Sequence, residues 1–321
     1  MVLLRIVLSV VTVLAGLVAI PTPAATAAER DEVSLEDLMT KSLDGRDLRV
    51  RGELSSTSQY TRYAISYKGA GLRITGIMNV PRGRGPFPVV VLAHGYINPD
   101  TYWSGQGFRR EQDALARNGY VALHVDYRNH AGSSNDPDND LKMRLGYAED
   151  VLNAAIAVRR STLPYIDGDR IALLGRSMGG NVAFSAIAAR PGVFDAAVVY
   201  ASTSTKVVQN FNRFQRDPED SSLRRAILRT YGSARENPGF WRGISAVNYV
   251  DRITEPVLMF HGTKDETCPV SWARATHKAL LAADVDVRYV EYPNARHYMY
   301  GEWSDSMRRT LKFLEKHVAK A

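Results

Sequence analysis

One short segment, Ile171 to Ala183, constrains the fold of this chain more than any other. An apolar run of strand length is followed by the sequence Gly-Arg-Ser-Met-Gly at residues 175–179 and then by an alanine-rich helical pattern. A strand, a Gly-x-Ser-x-Gly turn and a helix in this order are typical of a nucleophile elbow, which exposes a serine hydroxyl at the edge of a sheet. The glycines allow strand and helix to approach closely because they lack a Cβ atom. Ser177 is therefore the candidate nucleophile.

The rest of the chain alternates apolar strand runs with helical patterns. Residues 88–95 and 119–126 lack the polar alternation of a half-exposed strand, so both strands are expected to be buried on two faces. Two β-rich runs, 60–68 and 72–80, flank a Gly-Ala-Gly turn and predict a hairpin. Strands that alternate with helices predict an α/β fold, with a doubly wound, mostly parallel sheet of about eight strands.

The alternation stops between residues 203 and 251. This stretch has aromatic residues among many charges and contains no strand run. We expect a helical cap insertion over the carboxyl edge of the sheet, where it would line a pocket and select substrates. The alternative is that these helices only connect two strands.

A serine nucleophile needs a base within hydrogen-bond reach, and the base needs an orienting carboxylate. In open α/β sheets such groups follow the carboxyl ends of strands, so they are expected after the strands downstream of Ser177. Asp265 follows the strand at 256–262, and His297 follows the strand at 286–290. The order Ser177, Asp265, His297 is that of the α/β hydrolases.

Nearby residues of the same types are given other roles. Glu266 is the alternative to Asp265, which has the better spacing from the end of its strand. His94 and His261 are expected to shape the turns after their strands. Cys268 is the only cysteine and is expected to be a packing residue rather than a reactive thiol. A single cysteine forms no internal disulfide and cannot build a multi-cysteine metal site.

The chemistry of a serine nucleophile also requires N–H donors that face the developing oxyanion. One donor is expected from the backbone of Met178, which follows the nucleophile at the start of its helix. The other is expected from Tyr96, in the loop after the strand that ends at Gly95. The alternative for Tyr96 is that its ring only packs over the turn. This chemistry implies no metal and no organic cofactor.

The N-terminal segment has the pattern of a signal peptide. Arg5 precedes an uncharged run from Ile6 to Ile20, and residues 25–27 form an Ala-Thr-Ala cleavage site. We expect a signal peptide over residues 1–28 and a single domain over residues 29–321. The protein would then be secreted or held in the cell envelope, with no stable membrane span after cleavage. The alternative is that the segment is retained as an anchor.

The charge pattern bears on possible partners. The formal net charge is +7, but the basic residues are scattered and do not form runs interleaved with aromatic residues. This pattern predicts a soluble surface and excludes nucleic acid as the expected partner.

Four motifs together carry a family resemblance. They are His94-Gly95-Tyr96, the Gly-Arg-Ser-Met-Gly-Gly segment at 175–180, His261-Gly262-Thr263-Lys264-Asp265 with Pro269-Val270, and Pro293-Asn294-Ala295-Arg296-His297. In this order they resemble the catalytic domain of the prolyl oligopeptidase family of serine hydrolases, from about Tyr60 to the C-terminus. The resemblance implies an α/β-hydrolase fold, with Ser177 as nucleophile, Asp265 as acid, His297 as base, and Met178 and Tyr96 as oxyanion hole.

The resemblance also implies a substrate class. Peptidases of this family usually carry a β-propeller, which the roughly thirty residues before the hairpin are too few to encode. The same domain is similar to dienelactone hydrolases and secreted acyl esterases. The predicted function is a secreted serine hydrolase that cleaves the peptide bonds of short peptides through an acyl-enzyme. The alternatives are a carboxylesterase acting on small, cell-wall or plant-derived acyl esters, and a non-catalytic binding protein with the same fold.

Overall fold

A computed structural model of the chain describes residues 33–215 and 221–319. The predicted signal peptide at residues 1–28 lies outside the described residues. Within the described ranges, no helix is both long enough and apolar enough to cross a membrane.

A nine-stranded sheet organises the described residues. Its strands are β1 (Arg46–Ser56), β2 (Tyr60–Gly69), β3 (Leu72–Pro81), β4 (Phe87–Ala93), β5 (Val121–Val125), β6 (Ile166–Arg176), β7 (Ala196–Tyr200), β8 (Val257–Gly262) and β9 (Val287–Tyr292). The order in the sheet is β1-β2-β3-β5-β4-β6-β7-β8-β9. The first three strands are antiparallel, and the six from β5 to β9 run parallel to one another. The predicted mostly parallel, doubly wound sheet is therefore confirmed.

Strand β1 is the one that the sequence patterns do not reveal. It pairs with β2 at the edge of the sheet, and only Leu48 among its residues is buried. An edge strand that is exposed on both faces has no apolar alternation to recognise. Charged residues on such a strand also protect its open edge from pairing with other chains.

Helices cover both faces of the sheet. They are α1 (Leu35–Thr40), α2 (Arg109–Arg117), α3 (Gly146–Arg159), α4 (Met178–Ala189), α5 (Val207–Phe214), α6 (Ser221–Tyr231), α7 (Pro238–Gly243), α8 (Val270–Ala282) and α9 (Trp303–Leu314). Two 3-10 segments, Pro99–Thr101 and Ala246–Arg252, and a π-helical turn, Glu315–Ala319, are the other helical elements given for the described residues.

The side chains of β4 divide between two apolar cores, because successive residues of a strand point to opposite faces. Val89 and Val91 pack in the core that also contains the apolar faces of α3, α4 and α8. Val90 and Leu92 pack in the core formed with α2 and α9. All four side chains are fully buried. Burial of each such side chain contributes about 1.5–3 kcal/mol, so the parallel strands form a rigid support for the loops at their ends.

The chain reverses direction across the sheet at β4. It passes from β4 to β5 on one side and then crosses to β6 on the other side. The loops that follow the carboxyl ends of β4 and β6 therefore diverge and leave a crevice, which is where ligands bind in open α/β sheets. Ser177 follows β6, and a Cβ atom built on Gly95 after β4 would lie 3.2 Å from the Cβ of Ser177. Gly95 and Ser177 are therefore close neighbours at this crevice.

The predicted insertion at residues 203–251 is helical in its described part, with α5, α6, α7 and the second 3-10 segment. It has a small apolar core of its own. Phe211 and Trp241 lie at the centre, with their ring centroids 4.8 Å apart, and Ile227 and Ile244 are buried beside them. The insertion is thus a packed helical element.

A buried ion cluster holds the long loop between β5 and α3. The guanidinium of Arg128 donates to Asp150 and Glu149 on α3, with distances of 2.8 Å each, and to Asp136 in the loop, at 2.9 Å. Arg128, Glu149 and Asp150 are almost completely buried. Because an unpaired buried charge is costly, the loop and the first turn of α3 are bound to each other.

Candidate active site

The turn between β6 and α4 holds Ser177 in a conformation that non-glycine residues rarely adopt. Its backbone angles are φ 58° and ψ −122°. Such a conformation costs about 1–3 kcal/mol and persists only where surrounding contacts compensate for it. The N–H of Ser177 donates to the carbonyl of Tyr200 at 3.0 Å, and its own carbonyl accepts from Gly180 at 2.9 Å and Thr203 at 3.0 Å. These bonds fix the serine at the point where strand and helix meet.

The two glycines of the motif are required by close backbone contacts. A Cβ atom on Gly179 would lie 1.8 Å from the carbonyl oxygen of Ala93, at the end of β4. A Cβ atom on Gly175 would lie 2.2 Å from the carbonyl oxygen of Gly179. Backbone atoms cannot move aside as a flexible side chain can. Helix α4 therefore packs on the strand ends only because both positions lack a side chain.

The loops after β8 and β9 bring Asp265 and His297 together. The Nδ1 atom of His297 lies 2.9 Å from Oδ2 of Asp265, and both side chains are buried. The other carboxylate oxygen, Oδ1, accepts backbone N–H groups from Thr267 at 2.9 Å and Cys268 at 2.7 Å. The loop of residues 265–268 therefore holds the carboxylate in a fixed orientation toward the imidazole.

His261 is a second partner of the same carboxylate. Its Nε2 atom lies 3.2 Å from Oδ2 of Asp265 and 2.8 Å from the carbonyl oxygen of Cys268. The expectation that His261 only shapes the turn after β8 was thus incomplete. Burial alone would raise the pKa of Asp265, but hydrogen bonds from His261, His297 and the N–H of Cys268 outweigh it and hold that pKa well below its usual value. The spacing of four residues between His261 and Asp265 is the sequence signal for this contact.

Glu266, the alternative acid, lies on the outer side of the loop. Its carboxylate pairs with the guanidinium of Arg296 at 3.2 Å, and both side chains are largely exposed. It also accepts the backbone N–H of His297 at 3.4 Å, but it makes no contact with the imidazole nitrogens. The structure places Asp265, and not Glu266, against the ring.

His94 lies buried beneath the turn after β4. Its Nδ1 atom lies 2.7 Å from the carbonyl oxygen of Gly95, and its ring stacks on Tyr102 with centroids 4.9 Å apart. Burial, with the nearby His130 adding to its effect, lowers the pKa of His94 to about 3. The imidazole is therefore neutral near pH 7 and supports the loop that carries Tyr96.

A cavity of about 470 Å³ joins the residues singled out by the sequence. Ser177, Met178, Tyr96 and His297 line it. Apolar residues of the helical insertion cover part of it, namely Val207, Phe211, Phe214 and Ile227. The insertion therefore does more than connect two strands, since its helices form one wall of this cavity.

Several polar groups at the cavity are free to interact with a ligand. Within residues 33–215 and 221–319, the Nε2 atom of His297 has no hydrogen-bond partner, and neither do the backbone N–H groups of Met178 and Tyr96. Tyr96 is 57% exposed, and the guanidinium of Arg144 lies over one side of its ring. A base and two N–H donors thus remain available around the serine.

Cys268 lies next to these groups without being exposed. Burial raises the pKa of its thiol to about 12; the charge of Asp265 adds to this effect and a hydrogen bond with the Ser177 hydroxyl opposes it. The ligand atoms of Asp265, Cys268 and His297 lie within 4.8 Å of one another, which is close enough to suggest a metal site. Both carboxylate oxygens of Asp265 already have hydrogen-bond partners, however, with Oδ1 bound by two backbone N–H groups and Oδ2 beside Nδ1 of His297. These residues form a hydrogen-bond network rather than a free set of metal ligands.

Comparison with known proteins gives one family match and several distant relatives. The model of the prolyl oligopeptidase family matches residues 106–321. The uncharacterized peptidase YuxL of Bacillus subtilis is 25% identical over 268 residues, which cover 80% of this chain and 38% of YuxL. The acylamino-acid-releasing enzyme of Rattus norvegicus is 25% identical, over 74% of this chain and 32% of the enzyme. This chain spans about a third of the length of these curated relatives.

One solved structure matches this chain over most of its own length, unlike the curated relatives. Acetyl xylan esterase 1 from Thermoanaerobacterium sp. superimposes with a TM-score of 0.63 at 20% sequence identity. The match covers 87% of this chain and 91% of the esterase. At this level of identity the similarity concerns the fold alone.

Proposed function

Because the chain belongs to the prolyl oligopeptidase family, we propose that it is a serine hydrolase that cleaves peptide bonds of short peptides through an acyl-enzyme on Ser177. The observation that carries the proposal is the hydrogen-bonded pair of Asp265 and His297, which faces the same cavity as Ser177. A nucleophile, a base and an orienting acid are the groups that acyl transfer requires.

In the first step, the Ser177 hydroxyl loses its proton to Nε2 of His297 as Oγ attacks the substrate carbonyl. Asp265 stabilises the imidazolium that forms and holds Nδ1–H in the required tautomer. The unpaired Nε2 of His297 suits this role, because hydrogen bonds of this kind often tighten only when substrate is bound.

The attack converts the carbonyl oxygen into an oxyanion. In our proposal the backbone N–H groups of Met178 and Tyr96 donate to that oxygen. Both groups lie at the cavity and have no other acceptor in the described part of the chain. Donors that are oriented before the reaction stabilise the developing charge without reorganisation during it.

The second half of the reaction releases the products. The imidazolium of His297 gives its proton to the leaving amine, the C–N bond breaks, and the acyl group remains on Ser177. Water then loses a proton to His297 and attacks the ester carbon; the bond between that carbon and Oγ breaks, the acid is freed, and His297 returns the proton to Ser177.

Hydrolysis of carboxylic esters is the second candidate, and the insertion favours it. Its helices α5 and α6 wall the cavity with side chains such as Phe211 and Ile227, so this chain provides its own enclosure for a small acyl group. An alkoxide or phenoxide leaves more readily than an amine, and an ester therefore requires less precise proton donation from His297. An acetyl xylan esterase has the same fold.

We also propose that the chain is exported by the segment at residues 1–28. The proposal rests on the signal-peptide pattern and on the predicted cleavage after Ala27. Expression of the full chain in a bacterial host, followed by intact-mass analysis of the protein outside the cytoplasm, tests it. A mass that begins near Ala28 supports export with cleavage, and a mass that begins at Met1 contradicts cleavage.

Matched rate assays distinguish the two reactions. Purified protein and its Ser177→Ala variant are assayed on alanine- and proline-linked peptide anilides and on short-chain 4-nitrophenyl esters. Anilide turnover that disappears in the variant supports the peptidase. Ester turnover alone, also lost in the variant, favours the esterase. Turnover that persists in Ser177→Ala would refute the proposed nucleophile.

A further inference from the structure

Arg144 places a positive charge next to both residues of the proposed oxyanion hole. Its guanidinium carbon lies 4.7 Å from the centre of the Tyr96 ring, and its Nη1 atom lies 4.0 Å from the sulfur of Met178. The side chain lines the same cavity as Ser177. A cation therefore lines the cavity that contains Ser177 and contacts the side chains of both proposed oxyanion-hole residues.

The backbone at this position is held in an unfavourable conformation. Met143 and Arg144 are consecutive non-glycine residues with φ of 54° and 61°. The N–H of Arg144 donates to the carbonyl of Asn139 at 2.8 Å, which closes the turn. The buried cluster around Arg128 fixes the start of the same loop through Asp136. Two successive strained residues, supported in this way, are typical of sites that position a side chain for a ligand.

The other arginine of the cavity is already neutralised. Arg176 bonds to the buried carboxylate of Glu111 at 2.5 Å, and its guanidinium lies between the rings of Phe108 and Tyr200, at 4.8 and 5.4 Å from their centres. Its charge is thus compensated within the fold, and it does not compete for an anion in the cavity.

Arg144 has a weaker internal partner. Its Nε atom donates to Asp140 at 2.6 Å, but the Asp140 side chain is 48% exposed. Because water reaches the Asp140 carboxylate, this pair is weaker than a fully buried one. In the described part of the chain, the terminal nitrogens of Arg144 have no oxygen acceptor, and the thioether of Met178 is only a weak one. Strong donors therefore remain unused at the cavity wall.

We propose that Arg144 forms an anion subsite that binds a carboxylate of the substrate close to the scissile bond. The planar guanidinium offers parallel N–H groups that match a carboxylate, and such charged pairs are among the strongest hydrogen bonds in proteins. This inference rests on the proposed hydrolase function and gives it a substrate class, namely acyl compounds with a carboxylate in either the acyl portion or the leaving group.

Two pairs of esters test the subsite and distinguish the two positions of the carboxylate. The first pair is 4-nitrophenyl hexanoate and mono-4-nitrophenyl adipate, in which a carboxylate replaces the terminal methyl of the acyl chain. The second pair is 4-nitrophenyl acetate and 3-carboxy-4-nitrophenyl acetate, in which the leaving group carries the carboxylate. After subtraction of spontaneous hydrolysis, we expect kcat/KM for the anionic ester to be about 10–100-fold higher in at least one pair.

Substitutions then assign the preference to its residue. Arg144→Met keeps an unbranched side chain without the charge. It should bring the ratio of kcat/KM for the anionic ester to kcat/KM for the neutral ester close to one. Asp140→Asn removes the competing carboxylate and should raise the ratio above that of the wild type. Arg229→Met, on the exposed surface of α6, lowers the net charge equally and should leave the ratio unchanged.

The ratio of kcat/KM for the anionic ester to kcat/KM for the neutral ester tests the subsite independently of the proposed hydrolase function. Ser177-dependent turnover with no preference for either anionic ester, or a preference that survives in Arg144→Met, would overturn the subsite and leave the hydrolase intact. Calorimetric binding of monoethyl adipate and ethyl hexanoate to the Ser177→Ala variant tests the subsite without turnover. Tighter binding of the adipate, lost when Arg144→Met is added, supports the subsite; equal binding of the two esters overturns a carboxylate subsite on the acyl side.

Discussion

The Nδ1 atom of His297 lies 2.9 Å from Oδ2 of Asp265, and this contact joins the loops after β8 and β9. Asparagine in place of Asp265 would present an amide that cannot stabilise an imidazolium and that can reverse the tautomer of the ring. We expect Asp265→Asn to lower kcat by about 10⁴, as in comparable triads. Steady-state rates on the substrate with the highest turnover measure the effect.

The neighbouring acid provides the matched control for that substitution. Glu266→Gln alters a carboxylate one residue away that pairs with Arg296 at the surface. We expect its kcat to stay within about threefold of the wild-type value, because glutamine keeps an oxygen acceptor for the backbone N–H of His297 and only an exposed ion pair is lost. Full activity in Asp265→Asn, together with loss of activity in Glu266→Gln, would reverse the assignment of the acid.

The depressed pKa of Asp265 predicts how stability depends on pH. A carboxylate whose folded-state pKa lies below its ordinary value of 3.8 stabilises the fold above that pH, and this stabilisation is lost as the pH falls through the folded-state pKa. The difference in unfolding free energy between wild type and Asp265→Asn should therefore be largest near neutral pH and shrink below about pH 4. Urea denaturation across that range measures it, and a difference that grows on acidification would contradict the hydrogen-bond network described for Asp265.

The packing of α4 on the sheet predicts that Gly179 tolerates no side chain. In Gly179→Ala, the new methyl group would overlap the carbonyl oxygen of Ala93, and neither backbone segment can withdraw. We expect a loss of about 1–3 kcal/mol in unfolding free energy, together with loss of activity. Gly52→Ala is the control, because a Cβ atom there meets no atom within 4 Å. Similar denaturation midpoints for the two variants would show that the close approach of α4 is not as described.

The buried ion cluster predicts that loss of Arg128 destabilises the protein far more than loss of the exposed Arg117. Arg128→Met leaves the buried carboxylates of Glu149 and Asp150 without their main cation and should destabilise the protein by about 3–5 kcal/mol. Arg117→Met breaks an exposed pair with Asp113 and should cost less than about 1 kcal/mol. Thermal and urea denaturation of both variants test the prediction, and equal losses would contradict the role given to burial.

The sequence predicts most of the sheet because its parallel strands are buried on both faces. Residues 88–93 and 171–174 are apolar without interruption; the first run is followed by His94 and the second by the Gly-Arg-Ser-Met-Gly turn. Strand β1 could not be predicted in this way, since only Leu48 of its residues is buried and an exposed edge leaves no periodic signal.

In the candidate site, too, some residues could be predicted from local sequence patterns and others could not. Ser177, Asp265 and His297 could be proposed from order and spacing, because each follows a recognisable strand. Arg144 lies in a long loop without periodic structure, and its place at the cavity depends on the left-handed turn at residues 143–144 and on the ion cluster around Arg128. No local pattern encodes such a position, because it results from contacts between distant parts of the chain.

Covalent labelling with a fluorophosphonate tests the central proposal most directly. Intact-mass analysis of the wild-type protein should show a single phosphonyl adduct, and peptide mapping should place it on Ser177. Ser177→Ala should remain unlabelled, and His297→Gln should react more slowly by a factor of about 10² or more, since the base that activates the hydroxyl is missing. A wild-type protein that resists the reagent, or an adduct at another residue, would contradict the account and favour a binding protein that shares this fold.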